Sequence, residues 1–565
     1  MTCLRSKPGG PTVTLPTKGT GHIMNNAPGV RVRPSIESLQ AEYLKGNKKP
    51  LEDVMRAWKG IKALPPDDPN SFFMIGGFHG EPFRGAGWGS ASYWGGYCNH
   101  GNVLFPTWHR AYLLRLEQAL QSIPGCEQVM LPFWDETSEE SLTKGIPWAL
   151  TAPDFELDGE KIPNPLASFT FNRAITDNIN GDNPNYSKPL PYVTVRYPLS
   201  GLVGTDKDKA ATEKHNARFQ DAKENVVILN RNIVDWLTSY IVVKGDVVPT
   251  NVKSKFEQCL DAPNYTVFSN TSSAAQWNEN LPDGAIPVVP LESPHNDIHL
   301  AVGGFDVPHG PNKGDFAPIP GANGDMGEND TAGLDPIFYF HHCFIDRVFW
   351  LWQKRHGYTQ HLDVIAEYPG TNSVDAQGPT PGVVPNSWLT LETPLDPFKK
   401  SENGKERAYT SLDCINIEEQ LGYTYGPGSL ENLPKLSLAA PTVPAGNSRK
   451  VVRVSGLNRA PIAGSFLVSA YVNVDGERQL LGTEAVLSRW SVQSCANCQT
   501  HLEVKAFFPL NHFAESAVQD AQYDVEIHTR DGVRLQTPPA SPPDSQAVVG
   551  AAPQPVRKLF RLEVR

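Results

Sequence analysis

Histidines sit inside the apolar stripes of helical segments, and this constrains the fold more than any other feature of the chain. From His109 the set His109, Tyr112, Leu113, Leu116 and Leu120 recurs at i, i+3, i+4, i+7 and i+11, the period of one buried helix face, in a segment ending near Pro124-Gly125. A second helix is expected to open at Ser293-Pro294, with serine as N-cap and proline in the first turn, and to close at Gly303-Gly304. It carries His295 and His299. A third is expected to open at Asp335-Pro336, Asp335 acting as N-cap, and to bury Phe338, His342, Ile345, Phe349 and Trp352. Three helices therefore turn histidines inward, and a single core histidine is ordinarily just a hydrogen-bonded side chain.

The pattern changes after about Tyr425. Upstream, helical periodicity dominates, as in Leu51 to Leu64, which ends at Pro65-Pro66. Downstream, a Pro/Ser/Gly-rich stretch leads into period-2 alternation in KVVRV, SFLVSAYVNV, QTHLEVKAFF, YDVEIHT and KLFRLEV. The expected fold class is a mainly α core, a helical bundle with long irregular loops, followed by a C-terminal all-β sandwich-like domain. The expected divisions are a core over 1–430, a linker over 431–447 and the β-domain over 448–565. The 50 prolines and 47 glycines fit many turns, and the Pro-rich run Thr537 to Pro555 predicts an exposed, protease-accessible loop.

Composition removes several classes of function. A net charge of −11 with no lysine-rich run leaves no footprint for a nucleic-acid backbone. No run of ~18 apolar residues exists to span a bilayer, so no membrane association is expected. The first residues lack the apolar stretch of a secretory leader, which places the expected location in the cytoplasm. Eight cysteines are too few for a disulfide scaffold, and only Cys495 and Cys498 are closely spaced.

Spacing makes some of the 15 histidines candidate ligands. His295 and His299, at i and i+4, share one helix face within reach of a single ion. A zinc-protease motif would need glutamate at position 296, where this chain has Asn296. His342 can supply a third ligand, whereas His341 points about 100° away around its helix and reads as a supporting or structural residue. A second set, His79, His100 and His109, lies upstream. Two neutral three-histidine sets without carboxylates suit copper better than calcium, magnesium or a carboxylate-bridged iron pair.

The stretches YCNHGNVLFPTWHRAYLLRLEQ (Tyr97 to Gln118) and DPIFYFHHCFIDRVFWLWQ (Asp335 to Gln353) resemble the two copper-binding signatures of the tyrosinase family, the type 3 copper proteins. With His79, SPHNDIHLAVGG and Tyr423-Thr424-Tyr425, the resemblance covers about residues 30 to 425. The β-domain with its Cys-x-x-Cys further resembles the C-terminal domain of fungal pro-tyrosinases. The resemblance implies a first copper on His79, His100 and His109, a second on His295, His299 and His342, and O2 as co-substrate. It implies a thioether from Cys98 to His100, against a buried free thiol on the bare sequence. Glu292 and Asn296 match residues that orient a water as base; taken alone, Glu292 is equally a carboxylate favoured by a helix N-terminus and Asn296 a local cap. Leu300 matches a substrate-gate position, against a packed core leucine. Cys495 and Cys498 match a copper-loading pair, against a turn with two thiols.

The implied activity is latent: hydroxylation of monophenols and oxidation of o-diphenols to o-quinones, feeding melanin-type pigment, with the C-terminal domain capping the site until it is cut or displaced. The capping residue is expected among Leu480 to Leu487, and the Gly-rich loop Gly321 to Gly333 is expected to shape the pocket. Partners are then small phenols such as tyrosine, L-DOPA and catechols, with an activating protease and a homo-oligomer as further expectations. A catechol oxidase, an o-aminophenol oxidase and a hemocyanin-like O2 carrier share the ligands. Asp346-Arg347 reads as a structural ion pair.

Overall fold

The computed structural model describes residues 29–565, apart from 81–95, 177–186, 308–322, 376–381, 435–442, 444–445, 460–461, 489–502, 530–533, 537–559 and a few single residues. The helices that place the site are α1 (Lys49–Ala63), α2 (Phe105–Gln121), α3 (Ala222–Thr238), α4 (Val252–Cys259), α5 (Thr271–Glu279), α6 (Glu292–Gly303) and α7 (Ile337–His356). α2 and α7 pack together, and α6 rests on α3 and α4. Their inward faces merge into one apolar core containing Trp58, Trp108, Leu116, Ile298, Phe344 and Trp352.

The start of α6 differs from expectation. α6 begins at Glu292, ahead of Ser293, and no side chain caps it. Ser293 is free for another task, because its hydroxyl donates to the Glu484 carboxylate at 3.1 Å. α2 begins a full turn before His109, with Pro106 in its first turn where no N–H partner is needed. Asp335 does accept from the Ile337 N–H at 3.2 Å, but Arg196 also clamps it at 2.6 Å.

The expected Asp346-Arg347 pair does not form. Arg347 reaches Glu431 at 2.6 Å, while Asp346 accepts from Arg110 at 2.5 Å and from the hydroxyls of Tyr423 and Tyr425, each at 2.6 Å. Arg33 lies 3.6 Å above the Tyr423 ring and pairs with Glu117 at 2.9 Å. β1 (Arg31–Arg33) runs parallel to β4 (Tyr423–Tyr425), so the last strand of the core is tied back to its first. Consecutive helical residues diverge by about 100°, which explains why 346 and 347 serve different neighbours. Removing a charge from such a buried network strands its partners. Asp346→Ala should therefore lower stability by about 3–5 kcal/mol in thermal or urea unfolding, and a loss below about 1 kcal/mol would show that the network is not needed.

Downstream, β5 (Val451–Asn458), β6 (Phe466–Val474), β7 (Glu477–Val486), β8 (Glu503–Pro509), β9 (Gln522–Thr529), β10 (Arg534–Gln536) and β11 (Arg561–Val564) form two antiparallel sheets. Their orders are β7-β6-β9-β10 and β8-β5-β11. Alternation along β6 sends Phe466, Val468, Ala470 and Val472 into the sandwich core. Leu467 and Tyr471 on the opposite face join the helical core, as do Leu480, Ala485 and Leu487. β6 buries side chains on both faces, Leu467, Ser469 and Tyr471 on the second, because it is covered on both. The hairpin β2 (Tyr240–Val243) and β3 (Asp246–Pro249), which lies within the first 430 residues, contributes Ile241 and Val248 to the sandwich core. Among the described residues, no helix is long and apolar enough to cross a membrane.

Candidate metal centre

Two clusters of buried histidines lie back to back. His79, His100 and His109 form one; His295, His299, His341 and His342 form the other. The first draws on the segment after a short helix (Phe72–Gly77), the loop before α2 and the first turns of α2. The second draws on α6 and α7. They meet where His109 stacks on His342, ring centroids 4.4 Å apart, and His100 lies 5.6 Å from His295.

Backbone and side-chain acceptors aim the rings. Nδ1 of His109 bonds to the Phe105 carbonyl at 2.8 Å, that of His299 to the Met326 carbonyl at 2.7 Å, and that of His79 to the Asn329 carbonyl at 2.8 Å. Nδ1 of His295 bonds to Asn296 Oδ1 at 2.9 Å. A ring whose Nδ1–H is donated outward presents a lone pair on Nε2. The Nε2 atoms of His295 and His299 lie 3.2 and 3.3 Å from His342 Nε2. That is about the edge of a tetrahedron around an ion with ~2.0 Å metal–nitrogen bonds. Lone pairs converging this closely need a cation among them.

Burial sets the protonation. It pushes His109 down to about 3 and His299 down to about 4, and it takes His295 and His342 well below the ordinary imidazole range, with neighbouring histidines adding to the effect. Neutral imidazole is the form that binds a metal. Among the described residues no carboxylate belongs to either cluster, and an all-imidazole set suits copper or zinc over calcium or magnesium.

The glycine-rich loop does more than shape a pocket. Its described part, 323–333, supplies the carbonyls of Met326 and Asn329, which orient one histidine in each cluster. It can do so because of glycines: a Cβ on Gly303 would meet Gly327 N at 1.8 Å, and one on Gly333 would meet His79 Cβ at 2.9 Å. These two glycines were the available sequence signal for the loop's role.

Glu292 is almost fully buried in the first turn of α6. It accepts from Gly101 N at 2.7 Å and from Thr271 N and Oγ1 at 2.9 and 3.0 Å. Burial raises its pKa, opposed by these bonds. Glu292 and Asn296 line a cavity whose opposite wall is Glu484 to Leu487 of the β-domain. Asn296 Nδ2 donates to the Ala485 carbonyl at 3.4 Å, and Lys255 bridges Asp297 at 2.7 Å and Glu484 at 3.6 Å. The segment Leu480 to Leu487 thus lies directly over the ligand helix. Leu300 is fully buried in the main core and is not among the residues lining that cavity. Cys98 is buried two residues before His100 and makes no disulfide. Cys495, Cys498 and the Pro-rich run lie outside the described residues.

His341 is closer to the centre than its helical angle suggested. Its Nδ1 lies 2.5 Å from Glu136 Oε1, and both side chains are fully buried. Glu136 was not anticipated; its one trace was an acidic pair, Asp135-Glu136, closing the apolar run MLPFW.

The family model described as the common central domain of tyrosinase matches residues 69–355. Tyrosinase HcTyr2 of Hahella sp. (strain CCB-MM4) is 55% identical over 529 residues, covering 90% of this chain and 93% of that protein. A tyrosinase of Aspergillus oryzae is 46% identical over 516 residues, covering 86% and 91%. The structure of tyrosinase from Burkholderia thailandensis at low pH superposes with a TM-score of 0.79 at 54% identity, covering 89% of this chain and 96% of that one. The apo-protyrosinase structure from Aspergillus oryzae shares the fold at 19% identity, with a TM-score of 0.61 and 90% coverage of each chain.

Proposed function

The chain belongs to the tyrosinase family, and from that premise we propose how its residues divide the work of a copper-dependent monophenol monooxygenase and o-diphenol oxidase. The protein uses two copper ions and O2. The observation that carries this reading is the pair of three-histidine sets meeting at the His109–His342 stack. The first copper is assigned to His79, His100 and His109, and the second to His295, His299 and His342. Bound there, the copper pair supplies the electrons that O2 chemistry requires and organic side chains lack.

The chain's own residues bind, orient and move protons. A phenol must lose a proton whose pKa is near ~10 before it can meet a metal. Glu292 and Asn296 hold a water as the base that removes it. Asn296 also fixes the His295 ring, which supports a linked role for the pair. A thioether between Cys98 and His100 locks a ring on a loop, where no helix does so. Cys495 and Cys498 are assigned to copper loading.

Latency follows from the β7 segment over α6. The cap is held by an ion network: Glu279 at the end of α5 accepts from Arg453 at 2.6 Å, Arg565 at 3.3 Å and Lys505 at 3.5 Å. The natural substrates are small phenols, and a protease acting on the Pro-rich segments is the proposed activator.

The test is copper content with tyrosine and L-DOPA turnover, before and after limited proteolysis of the full chain. Two coppers per chain and a rise in both activities are expected; copper well below two with no gain would overturn the reading. Diphenol turnover without tyrosine turnover would make the protein a catechol oxidase. Glu279→Gln should raise turnover of the uncut chain about fivefold, for a network worth about 1 kcal/mol. Unchanged turnover in both uncut proteins, with a normal response to protease, would place the cap's hold elsewhere.

A further inference from the structure

Four imidazoles, not three, surround the second copper position, and their ligand atoms all lie within 4.8 Å of one another. A metal held by four protein ligands is closed, whereas a catalytic one keeps a position open. Something must keep the fourth ring out. Resting on the two-copper reading, we propose that Glu136 is a positioning residue that holds His341 off the second copper and so preserves an open coordination position for O2 or the phenol.

His295, His299 and His342 approach tip to tip through Nε2, at 3.2 and 3.3 Å. His341 instead lies face-on against His295, centroids 5.2 Å apart and planes 23° from parallel. Stacked rings run side by side and do not converge on one point. The His341 ring is fixed in this attitude by its 2.5 Å contact with Glu136.

The anchor is rigid and has no other occupation. Glu136 follows Trp134, whose backbone N–H donates to the Phe340 carbonyl at 3.1 Å and whose indole donates to Ser141 at 2.9 Å. The segment is thereby tied to the turn of α7 that carries His341. Among the described residues, the second oxygen of Glu136 has no hydrogen-bond partner, so this buried carboxyl serves His341 alone. A leucine would fill the same space without the cost of burying a carboxyl group. Nε2 of His341 is likewise buried, against the His295 backbone, and belongs to the group of ligand atoms that lie within 4.8 Å of one another.

The experiment titrates azide into the copper-loaded full chain and follows its absorption band, with copper content measured in parallel. Glu136→Leu should keep two coppers per chain but bind azide at least about tenfold more weakly, within the range of effects of residues that support metal ligands. Glu136→Leu/His341→Phe should recover the affinity to within about threefold of wild type. Azide binding unchanged in the single variant, or no better in the double variant, overturns the proposal. Where Glu136→Leu does not fold, His341→Phe decides: two coppers and wild-type azide affinity are expected, and a fall to one copper would make His341 a ligand and the proposal wrong. Fewer than two coppers in the wild-type chain would instead count against the copper reading itself.

Discussion

His342→Ala should abolish turnover and reduce copper from two per chain toward one. His342 is the hub of the second cluster: the Nε2 atoms of both His295 and His299 converge on its own. It also forms the joint between the clusters, stacking on His109 at 4.4 Å and beneath Phe338 at 4.0 Å. Its loss leaves two ligating nitrogens, with His341 held by Glu136, too few to hold the ion, and removes a metal contribution of several kcal/mol, so turnover of every phenol should fall by roughly a thousandfold or more. Because the wild-type ring is neutral and buried, the metal-free variant should lose only a cavity's worth of stability, about 1–3 kcal/mol. Two coppers with near wild-type turnover would remove His342 from the ligand set.

Glu292→Gln is expected to separate the two activities. Hydroxylation needs the phenol deprotonated by an organised base, a contribution of about 10²–10⁴-fold. A diphenol is more easily engaged, so its oxidation should change by no more than about threefold. Glutamine keeps the shape, but its amide cannot accept from both Gly101 N and the Thr271 groups, so some local stability is also lost. Tyrosine and L-DOPA turnover measured on the activated chain distinguish the cases; a parallel fall in both would make Glu292 structural. The pH profile gives a second readout. Burial raises the Glu292 pKa, so it takes up its proton sooner as pH falls, and the acid limb of tyrosine turnover should lie above the ordinary carboxylate range. That limb should vanish in Glu292→Gln.

Helices with inward histidines were legible because a 3.6-residue period and an i, i+4 pair are local properties. α2, α6 and α7 appear within a few residues of where the apolar stripes put them. Their starts were less legible. Ser293 has the chemistry of an N-cap, yet the tertiary contact with Glu484 takes it. Asp346 and Arg347 are opposite charges side by side, but partners nearly 80 residues away at Tyr423 and Tyr425 claim the aspartate. Period-2 alternation identified the strands, while Leu467 and Tyr471 on the second face of β6 made sense only once the helical core lay against them.

The sequence by itself determined which residue types could hold metal, that they lay on buried helix faces, and that a β-rich region followed. These rest on short-range order: periodicity, spacing and the conformational preferences of proline and glycine. Only the tertiary structure decided which nitrogen of His299 and His79 points inward, because that depends on the carbonyls of Met326 and Asn329 in a separate loop, whereas His109 is aimed by the Phe105 carbonyl of its own helix. It likewise brought Glu136 to His341 across 205 positions and laid Ala485 against Asn296 across 189. Hydrogen-bond partners so distant leave no periodic trace in the chain, since each is chosen by packing and not by its neighbours in sequence.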